Sequence, residues 1–222
     1  RKSRRWYCPS HLAAGDTVMT QFAYIVDDDE AIRDSLSWLM ESRGISCKTF
    51  PSAESFLEAW NATFAGCILL DIRMGEMSGS ELFDRLVERG CQLPVIFLTG
   101  HGDVPLAVST LKNGAFDFVE KPFNDNLLVD RVLEALKLDD ERRQAAASAD
   151  SVNRRLAQLT PRERQVMERI LAGKLNKVIA DELKVCMRTV EVHRASLFEK
   201  MGVKTAVELA QVVAAAPGKP GT

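Results

Sequence analysis

The sequence predicts an α/β protein: a five-stranded, doubly wound parallel sheet followed by a small all-α domain of four helices. Three observations predict it. Short apolar runs end in acids, at Asp27-Asp28-Asp29 and at Asp71. Such runs read as parallel strands buried on both faces. Stretches with helical periodicity separate the runs, giving β-α units in succession. Beyond about residue 154 only helical patterns remain.

The first strand is Phe22-Ala23-Tyr24-Ile25-Val26. Ile32, Leu36, Leu39 and Met40 then recur at helical spacing until Gly44. A short strand at about 46–50 precedes Ser52, which caps a helix through Phe56, Leu57 and Trp60. Cys67-Ile68-Leu69-Leu70 ends at Asp71, and the loop Met74-Gly75-Glu76-Met77-Ser78-Gly79 leads to a helix carrying Leu82, Phe83, Leu86 and Val87. Pro94-Val95-Ile96-Phe97-Leu98 ends in Thr99-Gly100, and a helix at about 104–112 closes at Asn113-Gly114. Ala115-Phe116-Asp117-Phe118-Val119 ends in Glu120-Lys121-Pro122, and a helix at about 126–138 turns Leu127, Leu128, Val132, Leu133 and Leu136 inward. Right-handed crossovers place helices on both faces.

Four segments follow: an extension at 1–19, the sheet domain at 20–138, a linker at 139–153 and the helical domain at 154–216. Residues 1–18 are basic, lack an apolar signal core and precede Met19, so they read as a non-native extension. The linker is charged, then small, and reads as a solvated, partly helical hinge without a core-forming face. In the second domain Thr160-Pro161-Arg162-Glu163 is a capping box. Its helix buries Val166, Ile170 and Leu171 and stops at Gly173. Asn176 caps the next, which packs Val178, Ile179 and Leu183. A short turn leads into 188–201, and a last helix carries Leu209, Val212 and Val213. Two short helices joined by a tight turn suggest helix-turn-helix DNA binding.

Net charge is −2, but it is unevenly placed. Residues 20–137 carry 10 basic and 19 acidic groups; residues 152–216 carry 12 and 7. Only the second half suits a polyanion. No run is long enough to span a membrane. The five cysteines are scattered without CxxC spacing, which fits buried thiols in a reducing cytoplasm better than disulfide or metal chemistry.

The strand ends share one sheet edge, where open α/β sheets place their sites. That edge would carry Asp27, Asp28, Asp71, Thr99 and Lys121. Crowded carboxylates of this kind suit a hard cation such as Mg²⁺. Metal and lysine neutralise phosphoryl oxygens, a hydroxyl donates to them, and a carboxylate is itself a possible nucleophile.

The ordered set Asp27-Asp28, Asp71, Thr99, Phe118, Lys121-Pro122 resembles the receiver domain of two-component response regulators. Leu159-Thr160-Pro161-Arg162-Glu163, Asn176-Lys177-Val178-Ile179-Ala180, Arg188-Thr189-Val190-Glu191-Val192-His193-Arg194 and Glu199-Lys200-Met201-Gly202 resemble the LuxR-type helix-turn-helix of FixJ/NarL regulators. Leu98-Thr99-Gly100-His101-Gly102-Asp103-Val104-Pro105 points to the FixJ-type branch. The resemblance implies a phosphorylation-activated transcription regulator, not an enzyme.

By the resemblance Asp71 is the phosphoacceptor. Asp28 and Asp71 ligate Mg²⁺ directly, Asp27 mostly through water, and Arg73 through its backbone carbonyl. Lys121, with a cis bond to Pro122, pairs with phosphoryl oxygens, while Thr99 and Phe118 form the switch. Asp29 reads instead as a helix N-terminal charge. The implied partners are a sensor histidine kinase, promoter DNA, RNA polymerase and, on phosphorylation, a second copy of the chain. The last helix, with Val203, Leu209 and Val213, is the expected dimer contact on DNA.

In the helix at 188–201, Val190, His193, Leu197 and Met201 share the core face. Glu191, Val192 and Ala195 face base edges by the resemblance, and Lys177, Arg188, Thr189 and Arg194 suit phosphates. Cys186 stands where a serine N-cap is usual and caps poorly.

One departure is the loop after Asp71, which reads Met74-Gly75-Glu76-Met77 where the family has Met-Pro-Gly-Met. It leaves phosphorylation-independent DNA binding as an alternative. An aspartyl phosphatase would need an acid at position 73, which is Arg. A small-ligand sensor would need a pocket domain in place of the acid set.

Overall fold

The computed structural model describes residues 20–100 and 110–214. The extension at 1–19, most of the helix expected at 104–112, and the His101-Gly102-Asp103-Val104-Pro105 stretch lie outside the described residues; 110–112 are helical. The chain divides into two compact units, the first ending at Asp140 and the second beginning at Glu141.

The first unit is built on five parallel strands: β1 (Phe22–Val26), β2 (Cys47–Phe50), β3 (Gly66–Asp71), β4 (Val95–Thr99) and β5 (Asp117–Glu120). Their order is β2-β1-β3-β4-β5. Helices α1 (Glu30–Ser42), α2 (Ala53–Ala59), α3 (Gly79–Glu88) and α4 (Asp125–Ala157) follow β1, β2, β3 and β5.

Strand parity decides the layers, because successive side chains point to opposite faces. Ala23, Ile25, Cys67, Leu69, Ile96 and Leu98 meet Leu36, Leu39 and Met40 of α1 and Leu128, Val129, Val132 and Ala135 of α4. Tyr24, Val26, Ile68, Leu70, Val95 and Phe97 meet Phe56 and Leu57 of α2 and Leu82, Phe83 and Leu86 of α3. Both faces are covered, as β-α-β crossovers require.

Asp29, Ser52 and Ser78 cap α1, α2 and α3, each accepting a backbone N–H of the first turn. At Gly79 a side chain is impossible: a Cβ there would stand 2.0 Å from the Asp71 carbonyl oxygen. The start of α3 is thereby pressed against the end of β3.

Several expectations need correction. The helix read as 126–138 followed by a hinge is one helix of 33 residues. No Gly or Pro interrupts 125–157, so nothing stops it. The supposed linker has a core-forming face after all, since Val152 is buried in the core of the second unit and Ala149 is buried as well. Leu127 and Leu133, expected inward, are each 49% exposed. They lie off the stripe formed by 128, 129, 132 and 135.

The second unit adds α5 (Pro161–Leu171), α6 (Asn176–Leu183), α7 (Met187–Met201) and α8 (Ala206–Ala214). Its core joins Val166, Ile170, Ile179, Val190, Leu197, Met201 and Leu209. Leu171 and Val178 are on the surface rather than in that core. Asn176 is the first helical residue and Leu175 the N-cap. Leu209 is fully buried and Val203 nearly so, hence neither is a surface contact within its own unit. Among the described residues no helix is long and apolar enough to cross a membrane.

Candidate functional site

The strand order reverses direction of travel between β1 and β3, and both strands end in acids there. This is the crevice where doubly wound sheets hold ligands. Asp27 and Asp71 are almost wholly buried, although each is the last apolar run's first polar residue. Buried carboxylates need partners. Lys121 Nζ donates to Asp27 Oδ2 at 2.8 Å and to Asp71 Oδ1 at 2.7 Å. The Asp29 N–H donates to Asp27 Oδ1 at 2.9 Å. Lys121 is brought in by the end of β5, where its N–H donates to the Thr99 carbonyl at 2.7 Å and its bond to Pro122 is cis.

Burial pushes the Asp71 carboxyl above the ordinary aspartate range and the Asp27 charge adds to this; Lys121 and the Arg73 backbone pull it back. Burial lowers the Lys121 ammonium, but hydrogen bonds to Asp27 and Asp71 outweigh that and hold it above the usual lysine value. The lysine therefore stays charged between two acids.

Thr99, 1% exposed, ends β4 one strand from Asp71. Phe118 of β5 pairs in register with Phe97 of β4 and packs partly against the α2–α3 side. Asp28 is exposed and lines an open cavity of about 390 Å³ with Glu54, Met74, Gly75, Glu76 and Met77. Arg73 is exposed in the loop after β3. Asp27, Asp71 and Lys121 thus converge in direct contact, Thr99 stands beside them, and Asp28 sits at the rim.

A second surface lies on the helical unit. Lys184, with φ 53° and ψ 46°, ends α6 in the left-handed region and begins the turn into α7. On α7, Arg188, Glu191, Val192 and Ala195 are exposed, with Val192 at 61%. Thr189 and Arg194 are half-buried and Lys177 on α6 is exposed. Arg194 is held by Asn176 Oδ1 at 3.2 Å and by the Phe198 ring. His193 is half-buried between Val190 and Leu197, as its place on the core face requires. Cys186 is the N-cap of α7 without a side-chain cap bond.

Sequence reasoning missed the acid that seats α7. Glu163, 4% exposed, accepts from Lys200 Nζ at 2.7 Å and from Ser196 at 2.7 Å while closing its own capping box. Burial disfavours its charge, yet the bonds from Lys200, Ser196 and Thr160 lower it to about 2. The capping box was legible; the partners 33 and 37 residues on carry no local signal.

A family model described as the response regulator receiver domain matches residues 23–133. One described as bacterial regulatory proteins, luxR family, matches 157–213. The chain is 48% identical to the C4-dicarboxylate transport transcriptional regulatory protein DctR of Rhodobacter capsulatus, over 87% of this chain and 100% of that one. It is 42% identical to the transcriptional regulatory protein FixJ of Bradyrhizobium diazoefficiens, over 85% of this chain and 92% of that one. The solved structure of the response regulator StyR matches with a TM-score of 0.83 at 38% identity, covering 88% of this chain and 98% of StyR. Full-length FixJ from B. japonicum matches with a TM-score of 0.57 at 40% identity, covering 89% and 98%. With both domain models matched in sequence order and relatives alike over nearly their whole length, the chain belongs to the two-component response regulators, transcriptional regulators that join a receiver domain to a LuxR-type DNA-binding domain.

Proposed function

We propose that a sensor histidine kinase phosphorylates Asp71 and that the modified receiver dimerises, engaging the second unit with promoter DNA and RNA polymerase. The observation that carries this reading is the Lys121 ammonium held between Asp27 and Asp71. A cation already bridges the two carboxylates, so the edge has both a nucleophile and a group to receive phosphoryl oxygens.

In the transfer, an Asp71 carboxylate oxygen attacks the phosphorus of a phosphohistidine. An O–P bond forms, the P–N bond breaks with its electron pair going to the ring nitrogen, and the ring, protonated at its other nitrogen, leaves as neutral imidazole. Burial makes the Asp71 carboxylate more basic than an exposed aspartate, which strengthens it as a nucleophile. Lys121 then shifts its pairing from the Asp71 oxygen to the phosphoryl oxygens. Thr99 donates its hydroxyl to the same group, and Phe118 turns into the space Thr99 leaves.

The donor chemistry suits Mg²⁺: Asp27 and Asp71 both reach one cation in the form of Lys121, and the exposed Asp28 follows Asp27 in the chain. Asp28, Asp71 and the Arg73 carbonyl would hold the ion, with Asp27 acting through water. When bound, it supplies charge neutralisation to the phosphoryl oxygens.

On the second unit, Glu191, Val192 and Ala195 read bases in the major groove, while Lys177, Arg188, Thr189 and Arg194 hold phosphates. The exposure of Lys177, Arg188, Glu191, Val192 and Ala195 on α6 and α7 supports this division.

Incubation with Mg²⁺ and a small acyl-phosphate donor is expected to add one base-labile acyl phosphate. Asp71→Asn is expected to abolish it. Undiminished labelling of that variant, measured by intact mass, overturns the assignment.

A further inference from the structure

The end of α7 raises a bonding problem that a residue of α4 solves. The last carbonyls of a helix have no partner within it. Gly202, with φ 66°, turns the chain so that its N–H reaches Glu199 and Phe198, and the Val203 N–H reaches Phe198 at 3.0 Å. That motif cannot serve the carbonyl of Met201. Arg155, in the last turn of α4, serves it: Nη1 donates to the Met201 oxygen at 2.9 Å. Position 202 leaves room for this, since a Cβ there would stand 3.2 Å from Nη1. The cation also suits the negative end of the helix dipole. The turn that carries Arg155 is itself tied down, because Arg164 Nη2 donates to the Leu156 carbonyl at 2.8 Å.

Resting on the reading of α7 as the DNA-reading helix, we propose that Arg155 is a positioning residue for DNA recognition. It locks the C-terminal end of α7 and thereby holds the exposed Glu191, Val192 and Ala195 at a fixed angle. Val192 stands nine residues before Met201, about 13 Å along the helix. A tilt of about 5° pivoting at Met201 therefore moves it by about 1 Å, enough to spoil directional contacts to base edges. Base-selective binding then depends on the last turn of α4 remaining helical. This turn lies in the stretch that leads from the receiver to the helix-turn-helix, so the state of that stretch acts on base reading through one guanidinium.

The test uses the full-length protein phosphorylated with Mg²⁺ and a small acyl-phosphate donor. Wild type selects a duplex from a random-sequence DNA library, and Kd is measured for that duplex and for a scrambled one. Arg155→Met and Arg155→Gln, which cannot reach the carbonyl with a charged donor, are expected to lose about tenfold in discrimination between the two duplexes. Binding to the scrambled duplex is expected to change by less than about threefold, and Arg155→Lys is expected to restore most of the discrimination. If Arg155→Met is unfolded at the assay temperature, Arg155→Gln carries the comparison. Unchanged discrimination in both variants overturns the proposal. So does an equal loss on both duplexes, which would make Arg155 a phosphate contact. A wild type that selects no duplex overturns the DNA-binding reading, and this inference with it.

Discussion

At the scale of single residues, the candidate site is a balance of charge around Lys121. Two nearly buried carboxylates share one ammonium, with Asp28 at the rim. Thr99 stands apart from this exchange: it ends the neighbouring strand, is buried, and makes no ion pair. Its proposed task is to sense the phosphoryl group rather than to receive it. Thr99→Ala is therefore expected to keep acyl-phosphate formation close to wild type but to lose phosphorylation-driven dimerisation, which sedimentation velocity would measure. Normal dimerisation of the labelled variant would remove Thr99 from the switch. Asp27, Asp71 and Lys121 were legible in the sequence because each stands at the end of a strand, and parallel strands deliver their ends to one edge. Asp139 was not. It sits in a charged run that reads as solvated, yet it is buried and accepts from the Gly66 N–H at 2.8 Å. That partner lies 73 residues away, and no local pattern announces it.

At the scale of elements, the clamp between α5 and α7 governs how firmly the second unit holds α7. The folded Glu163 carboxyl lies at about 2, below its ordinary 4.5. Its contribution is therefore complete above about pH 4.5 and is lost as pH falls toward about 2. The stability gap between wild type and Glu163→Gln is expected to narrow over that interval, followed by urea unfolding at successive pH values. Lys200→Met leaves the carboxylate buried with one partner fewer and is expected to destabilise the unit by about 2 kcal/mol. The helices themselves were legible from caps and periodicity, the Thr160 box above all. The length of α4 was not, because alanine-rich charged sequence reads as a hinge until a packed face is found for Val152.

At the scale of the whole molecule, charge and architecture divide together. The acidic half forms the sheet unit and the basic half forms the helical one, each around its own core. A fragment spanning 141–222 is therefore expected to bind duplex DNA without phosphorylation. Its affinity is expected to fall by roughly a hundredfold or more between 50 and 200 mM salt if about five phosphates are contacted, because each contact releases counterions. Fluorescence anisotropy at stepped salt would measure the slope. A flat salt response would contradict the charge division on which the DNA reading leans.

The loop after β3 has one end open to change and one end closed. A Cβ at Gly75 would meet nothing within 4 Å, whereas at Gly79 it would strike the Asp71 backbone. Position 75 has room for drift toward a side chain, while Met74 and Met77 beside it are buried in the core. At position 79 the same drift is blocked, since every larger residue would push α3 away from the strand that carries Asp71. Asp71 thus keeps its seat against α3 because a residue eight positions later has no room to become anything else.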